Sequence, residues 1–297
     1  MIKLYNRATK EYEIEKVAGE GLMKHLYSTT LGKLQLEFLI KRKLYSALTG
    51  VLCDTRLSAG KIQWFAKEYG IDLSLCEEGV ENFKSFNHFF TRKLKPEARP
   101  FAADTELLLS PGDGRMRAWM DIDMEKLVQV KGLSYSLKNL LADEQLASQY
   151  QGGIYVLLRL APVDYHRFHF IDNGICTASK KIKGYYYSVN PIALSTIPTV
   201  FCQNKREYSI LDSEHFGKIL YMEVGATSVG SIVQTYQPGA EIRRGDEKGY
   251  FKFGGSTVIL FLEKDVACID EEIIEQTALG FETRVLAGEP IGKSFNG

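Results

Sequence analysis

Gly254-Gly255-Ser256-Thr257-Val258-Ile259-Leu260-Phe261-Leu262 joins two glycines and a serine to an uninterrupted apolar run. β-Branched and aromatic residues in a run this short predict a strand buried on both faces rather than a helix. Upstream, Arg244-Gly245-Asp246-Glu247-Lys248-Gly249-Tyr250-Phe251-Lys252-Phe253 reads as a hairpin leading into the glycines. One interpretation of the junction is a glycine bulge in a sheet. The other is chemical. A serine hydroxyl after a Gly-Ser bond in a strained turn can attack the preceding carbonyl, and glycine permits the backbone angles such a turn needs.

Working outward, Ile154-Tyr155-Val156-Leu157-Leu158 and Leu220-Tyr221-Met222-Glu223-Val224 are further buried-strand runs separated by glycine-rich turns. Sixteen Tyr and sixteen Phe favour a β-rich body. The N-terminal texture differs. Leu22, Leu26, Leu31, Leu34, Phe38, Leu44 and Leu48 recur at helical spacings between Lys33, Lys41, Arg42 and Lys43. A further helix is expected over 58–69, with Ile62, Phe65, Ala66 and Tyr69 on one face, Ser58 as N-cap and Gly70 as stop. Thr91 to Pro100, with Arg92, Lys93, Lys95, Pro96 and Arg99, reads as an exposed irregular linker. The expected fold class is α+β, with an N-terminal helical region over 1–100 and a β-rich domain over 101–297.

Composition narrows the function classes. The chain has 297 residues, 45% hydrophobic and 25% charged, enough for a sizeable core. Thirty-seven basic residues balance thirty-seven acidic ones, so no uniform positive field exists to hold a nucleic acid. The five cysteines are odd in number, widely spaced and form no CxxC pair, which argues against a disulfide framework or a cysteine zinc site and for a reducing cytoplasmic compartment. The opening residues lack the apolar stretch of a secretory signal, and no stretch reads as a spanning helix.

Three further motifs could carry chemistry. Ser110-Pro111-Gly112-Asp113-Gly114-Arg115 places an acid between glycines, where a turn is the plainer reading. Pro162-Val163-Asp164-Tyr165-His166-Arg167-Phe168-His169 carries two of the five histidines. Imidazole suits a structural hydrogen bond, a metal ligand or acid–base work near neutral pH. A metal would need a third ligand, for which Asp113 is the candidate. Val224-Gly225-Ala226-Thr227-Ser228-Val229-Gly230-Ser231-Ile232 could leave amides free for an anion or be a glycine-kinked strand.

These four motifs stand in the order and spacing of the phosphatidylserine decarboxylase proenzymes, and the chain resembles that family from about Phe83 onward. Phe89-Phe90-Thr91-Arg92-Lys93-Leu94-Lys95-Pro96 is similar to the family's entry segment, and Gly254-Gly255-Ser256-Thr257 follows its Gly-Gly-Ser-Thr branch. Asn204-Lys205-Arg206-Glu207 departs from an expected Asn-Glu-Arg-like segment.

The resemblance implies that Ser256 attacks the Gly255 carbonyl and that the ester then eliminates. The serine becomes an N-terminal pyruvoyl group, leaving a large chain (1–255) and a small chain (256–297) as a heterodimer, with pairing of two heterodimers left open. By the same analogy, Asp113 orients His169, and His169 takes the Ser256 proton. The pyruvoyl ketone forms a Schiff base with the serine headgroup and accepts electrons as carbon dioxide leaves, in place of pyridoxal phosphate and with no metal. His166 is the candidate acid that protonates the α-carbon, releasing phosphatidylethanolamine.

The implied substrate is a bilayer lipid, so the apolar faces at Leu31, Leu34 and Phe38, or at Leu44 and Leu48, become the expected contact with the cytoplasmic side of the cell membrane. Lys41, Arg42 and Lys43 would each add about 1 kcal/mol near anionic lipid. Three rivals remain from the residues: a metal-dependent hydrolase or lyase using Asp113, His166 and His169, a pyruvoyl decarboxylase of a soluble amino acid, and a carrier-type β domain using the 245–256 hairpin.

Overall fold

The computed structural model of the chain describes residues 2–16, 19–41, 43–130, 133–197, 199–226, 232–254 and 256–295. The fold is mixed α+β, organised by one eleven-stranded sheet. From one edge the order is Glu241–Ile242, Gly174–Cys176, Arg206–Ser213, Gly217–Gly225, Ser256–Leu262, Ile154–Leu160, Gly114–Trp119, Glu282–Val285, Ile2–Asn6 and Glu11–Glu15. Lys180–Ile182 also pairs with Arg206–Ser213. Every pairing in this sheet is antiparallel except that of Ile2–Asn6 with Glu282–Val285.

The expected apolar strand lies at the middle of this sheet, and all seven of its residues are buried. Its alternation is hidden because both faces are covered. Ile259 and Phe261 pack with Tyr155, Leu157, Leu220 and Met222 under short helices. Val258, Leu260 and Leu262 pack on the other face with Leu158, Tyr221, Phe168, Phe170 and Phe251. A both-faces-buried strand reads as a continuous run, as the sequence does.

The hairpin expected over 245–256 is not formed. Glu247–Phe251 belongs to a separate three-stranded sheet with Ile232–Gln234 and Arg167–His169. The chain crosses from that sheet to the large one between Lys252 and Ser256. Phe253 diverts it, with its ring 5.1 Å from both Phe86 and Phe90 and its N–H donating to Asn87 Oδ1 at 2.9 Å. Gly254 completes the crossing at φ 148°, a conformation open to glycine.

The helical reading of the N-terminal region applies from Glu20 onward, through Glu20–Ser28, Thr30–Gln35, Leu36–Ile40, Lys43–Asp54 and Ile62–Tyr69. Residues 2–15 instead supply two strands to the main sheet. Gly70 ends its helix at φ 67° as expected. Ser58 is not an N-cap. It sits in the single-turn segment Arg56–Lys61, and its hydroxyl bonds the carbonyls of Cys53 and Thr55 and accepts the Phe86 N–H. Nor is the 91–100 segment uniformly exposed, since Arg92 is buried and Arg99 reaches Asp113.

A chain of buried charges ties the N-terminal hairpin to the centre. Arg159 donates to Glu282 at 2.9 and 2.6 Å and to Glu15 at 2.7 and 3.3 Å. Arg115 then links Glu15 to Asp164. Removing the cation would strand the buried Glu282 and leave Glu15 on Arg115 alone. Arg159→Met is therefore expected to cost about 3–5 kcal/mol, seen as a lower urea midpoint, with Arg159→Lys losing less.

Candidate active site

Ser256 opens the central strand, opposite Gly225 on one edge and Leu160 on the other. Its side chain is fully buried, and among the described residues its hydroxyl has no hydrogen-bond partner. A buried hydroxyl in this state is costly, and those of Ser46, Ser209, Thr257 and Thr283 share it. Gly255 and the stretch 227–231 lie outside the described residues. The strand edge beside Ser256 is fixed by a residue that the sequence reading quoted only within a segment departing from the family's pattern. Asn204, fully buried, donates to the carbonyls of Gly225 at 2.9 Å and Tyr187 at 2.8 Å.

Leu160 runs into the loop that carries the histidines. His166 is completely buried, its Nδ1 is 2.9 Å from the Asp164 carbonyl, and its ring lies 3.8 Å from that of Phe90. The carbonyl can only accept, so Nδ1 carries the proton and Nε2 keeps a lone pair, which has no partner among the described residues. Burial, the largest influence, pushes this imidazole down to about 3, against the raising effect of Asp164. His169 also has its Nδ1 on a carbonyl, that of Gly245 at 2.9 Å, and its Nε2 faces the Tyr165 hydroxyl at 3.3 Å. Burial lowers its pKa as well.

Asp113 is buried and held by Arg99, whose Nε donates to Oδ1 at 2.7 Å while its Nη2 reaches Oδ2, and by the Ala287 N–H at 2.9 Å. Asp113 and Tyr165 line one polar cavity of about 300 Å³, which brings the acid near the His169 side of the loop. Among the described residues no hydrogen bond joins Asp113 to His169 or His169 to Ser256. Among the same residues no three His, Cys, Asp or Glu side chains are gathered to hold a metal, so the metal-dependent rival has no cluster to rest on. Tyr165, Arg99 and Arg92 are site residues that the sequence reading quoted within motifs without giving them roles.

A second cavity of about 310 Å³ is mostly apolar. Leu22, Met23, Leu26 and Phe65 of the N-terminal helices face Pro162, Phe253 and Gly254 across it. It reaches the residue next to the Gly255–Ser256 junction.

This chain matches the profile of the family described as phosphatidylserine decarboxylase over residues 86–293. The phosphatidylserine decarboxylase proenzyme of Ruminiclostridium cellulolyticum is 60% identical over 296 residues, covering 100% of this chain and 99% of that protein. Those of Clostridium botulinum and Clostridium perfringens are 58% and 55% identical, each over 98% of this chain and 99% of the relative. The chain belongs to the phosphatidylserine decarboxylase family, which makes it a carboxy-lyase.

The depressed pKa of His166 has a measurable consequence. Between about 3 and the ordinary 6.5 the unfolded chain binds a proton that the folded chain refuses. Stability contributed by this group is therefore present above pH 6.5 and lost as pH falls towards 3, at about 1.4 kcal/mol per pH unit. Urea midpoints of an uncut Ser256→Ala chain should fall across that window, and the His166 ring resonance should stay flat between pH 5 and 8.

Proposed function

We propose that this chain cuts itself between Gly255 and Ser256, turns Ser256 into a pyruvoyl group, and with it converts phosphatidylserine to phosphatidylethanolamine and carbon dioxide. The carboxy-lyase activity is that of its family. The observation that carries the self-cutting is the buried, unpartnered Ser256 hydroxyl beside a glycine at the head of a strand held on both edges. The small chain, 256–297, begins with that strand and stays bound to the large chain, 1–255, through its pairings with Gly217–Gly225 and Ile154–Leu160.

In maturation Ser256 Oγ is the nucleophile and His169, with its lone pair at Nε2, takes the proton. Asp113 supports it from the cavity shared with Tyr165. Assembly of this relay requires Asp113 to turn from Arg99 towards His169. In turnover the pyruvoyl group supplies the ketone that draws electrons as carbon dioxide leaves. His166 manages the proton. Its neutral Nε2 removes one from the substrate ammonium, freeing the amine, and returns it to the α-carbon afterwards. The proton count closes for release of the product as the free amine, which then takes one proton from solvent.

The N-terminal region, 1–100, is the membrane-facing part and 101–297 the decarboxylase part, with residues 2–15 completing the latter's sheet. Leu31, Leu34, Phe38 and Leu48 are exposed, as are Leu57 and Trp64, with Lys33, Arg56 and Lys61 beside them. Among the described residues no helix is long and apolar enough to cross a membrane, so contact is peripheral. Five unpaired cysteines support the cytoplasmic face. Lys41 takes no part in lipid contact, because it is buried on Glu37 and on the Tyr187 hydroxyl at 2.7 Å. Arg42 and the side chains of Lys43 and Leu44 lie outside the described residues.

Two outcomes test this reading. Ser256→Ala should remain one inactive chain by intact mass, whereas the parent splits and its small chain carries a blocked N-terminus that borohydride modifies. An active, uncut parent would sink the proposal. Leu34→Glu with Phe38→Glu should abolish flotation with anionic liposomes while self-cutting persists. Unchanged flotation would assign docking to another surface.

A further inference from the structure

Arg92 is 5% exposed, and among the described residues no carboxylate lies within ion-pair distance of it. Its hydrogen bonds go to main-chain oxygens, those of Phe89 at 3.5 Å, Val163 at 3.3 Å and Asp164 at 3.2 Å, its guanidinium lies 4.9 Å from the centre of the Phe89 ring, and among the described residues its Nε has no hydrogen-bond partner. A buried guanidinium so poorly compensated is costly, and an apolar side chain would fill the space more cheaply. What it holds is the segment that carries His166. The Asp164 carbonyl that receives the Arg92 proton is the same oxygen that receives His166 Nδ1–H.

The converse contact also exists. Arg167, next to His166, donates from Nε and Nη2 to the Thr91 carbonyl at 3.0 and 2.7 Å, and from Nε to the Arg92 carbonyl at 3.4 Å. Between the two arms, the His166 ring lies against Phe90, and Phe251 N–H closes on the His166 carbonyl at 3.0 Å. We infer that Arg92 and Arg167 form a reciprocal clamp that positions His166, each guanidinium holding carbonyls of the segment that carries the other. They are positioning residues: they fix which nitrogen bears the proton and where the free Nε2 stands. The inference rests on the proposed role of His166 in decarboxylation and extends it to the segment Thr91-Arg92.

Three charged groups act on the imidazole. Asp164 raises its pKa, whereas Arg92 and Arg115 lower it, within the larger effect of burial. Arg92→Met removes one of the lowering charges and one hold on the carbonyl, so the acidic limb of the kcat/KM profile should move to higher pH. Arg92→Lys keeps the charge, so its limb should stay near the parent's while kcat recovers in part.

The test uses full-length variants purified as they mature, assayed on phosphatidylserine in detergent micelles across pH 3–9, a range that reaches the low pKa of His166. Arg92→Met and Arg167→Met should still cut, should lose about ten- to a hundredfold in kcat with KM little changed, and Arg92→Met should show the shifted limb. If Arg92→Met fails to fold, the lysine pair Arg92→Lys and Arg167→Lys is decisive. Loss of kcat with normal cutting supports the clamp, and parental kcat overturns it. Parental kcat and pH profile in Arg92→Met likewise overturn it. His166→Ala separates this from the underlying reading. If that variant decarboxylates normally, the role of His166 is wrong. If it is inactive while both arginine variants are normal, only the clamp is wrong.

Discussion

Position 256 is fixed by a strand that is hydrogen-bonded along both edges from its first residue. Ser256 pairs with Gly225 and Leu160, and the register continues unbroken to Phe261 on one side and Leu262 on the other. The apolar run behind it supplies the stabilisation, since each fully buried aliphatic or aromatic side chain contributes about 1.5–3 kcal/mol. Two consequences follow from this one constraint. The serine side chain is held away from solvent. A cut before position 256 would leave the pairings of this strand in place, since they begin at Ser256. Leu160, at the other side of Ser256, begins the turn that leads to His166, so the same register that holds the serine also places the histidine loop.

The crossing between the two sheets gives the N-terminal helices their connection to that point. Phe253 lies in an aromatic cluster with Phe65, Phe86, Phe89 and Phe90, which belongs to the helical region and the entry segment rather than to either sheet. The residues that lead to the junction are thus packed against the part of the molecule whose outer surface is apolar. Helix Glu20–Ser28 places Leu26 inward against the core and lines the apolar cavity with Leu22 and Met23.

What was legible in the sequence followed from local rules. The buried strands at 154, 220 and 256 were readable because an apolar run of that length has few other solutions, and Gly70 was readable as a stop because glycine adopts positive φ freely. The partners of polar groups were not readable. Lys41 sits in a basic run that looks solvent-facing, yet Glu37 four residues earlier and Tyr187, distant in sequence, bury it. Arg92 and Arg99 look like linker charges until the fold sets them beside Asp164 and Asp113. The supposed hairpin failed for a related reason. Periodicity identifies strands but does not say which sheet receives them, and the anchor that separates these two, Phe253 on Asn87, spans 166 positions. The candidate residues Asp113, His166, His169 and Ser256 came from motif order, while the hydrogen bonds that orient them came only from the fold.

The electrostatics of the site fit an order of events. Both proposed proton transfers start with removal, from the serine hydroxyl during maturation and from the substrate ammonium during turnover. A charged imidazole could begin neither. At His166 and His169 burial lowers the pKa, and in each ring Nδ1 is committed to a carbonyl, leaving Nε2 as the basic atom. The neighbouring carboxylates would oppose this by stabilising imidazolium. They are engaged instead by arginines, Asp113 by Arg99 and Asp164 by Arg115. The arginines therefore do more than neutralise acids in the core. In this resting arrangement they blunt the pull of Asp164 and Asp113 on the two histidines, so both rings rest neutral and able to accept a proton, and in the proposed relay Asp113 supports a charged His169 only once it leaves Arg99.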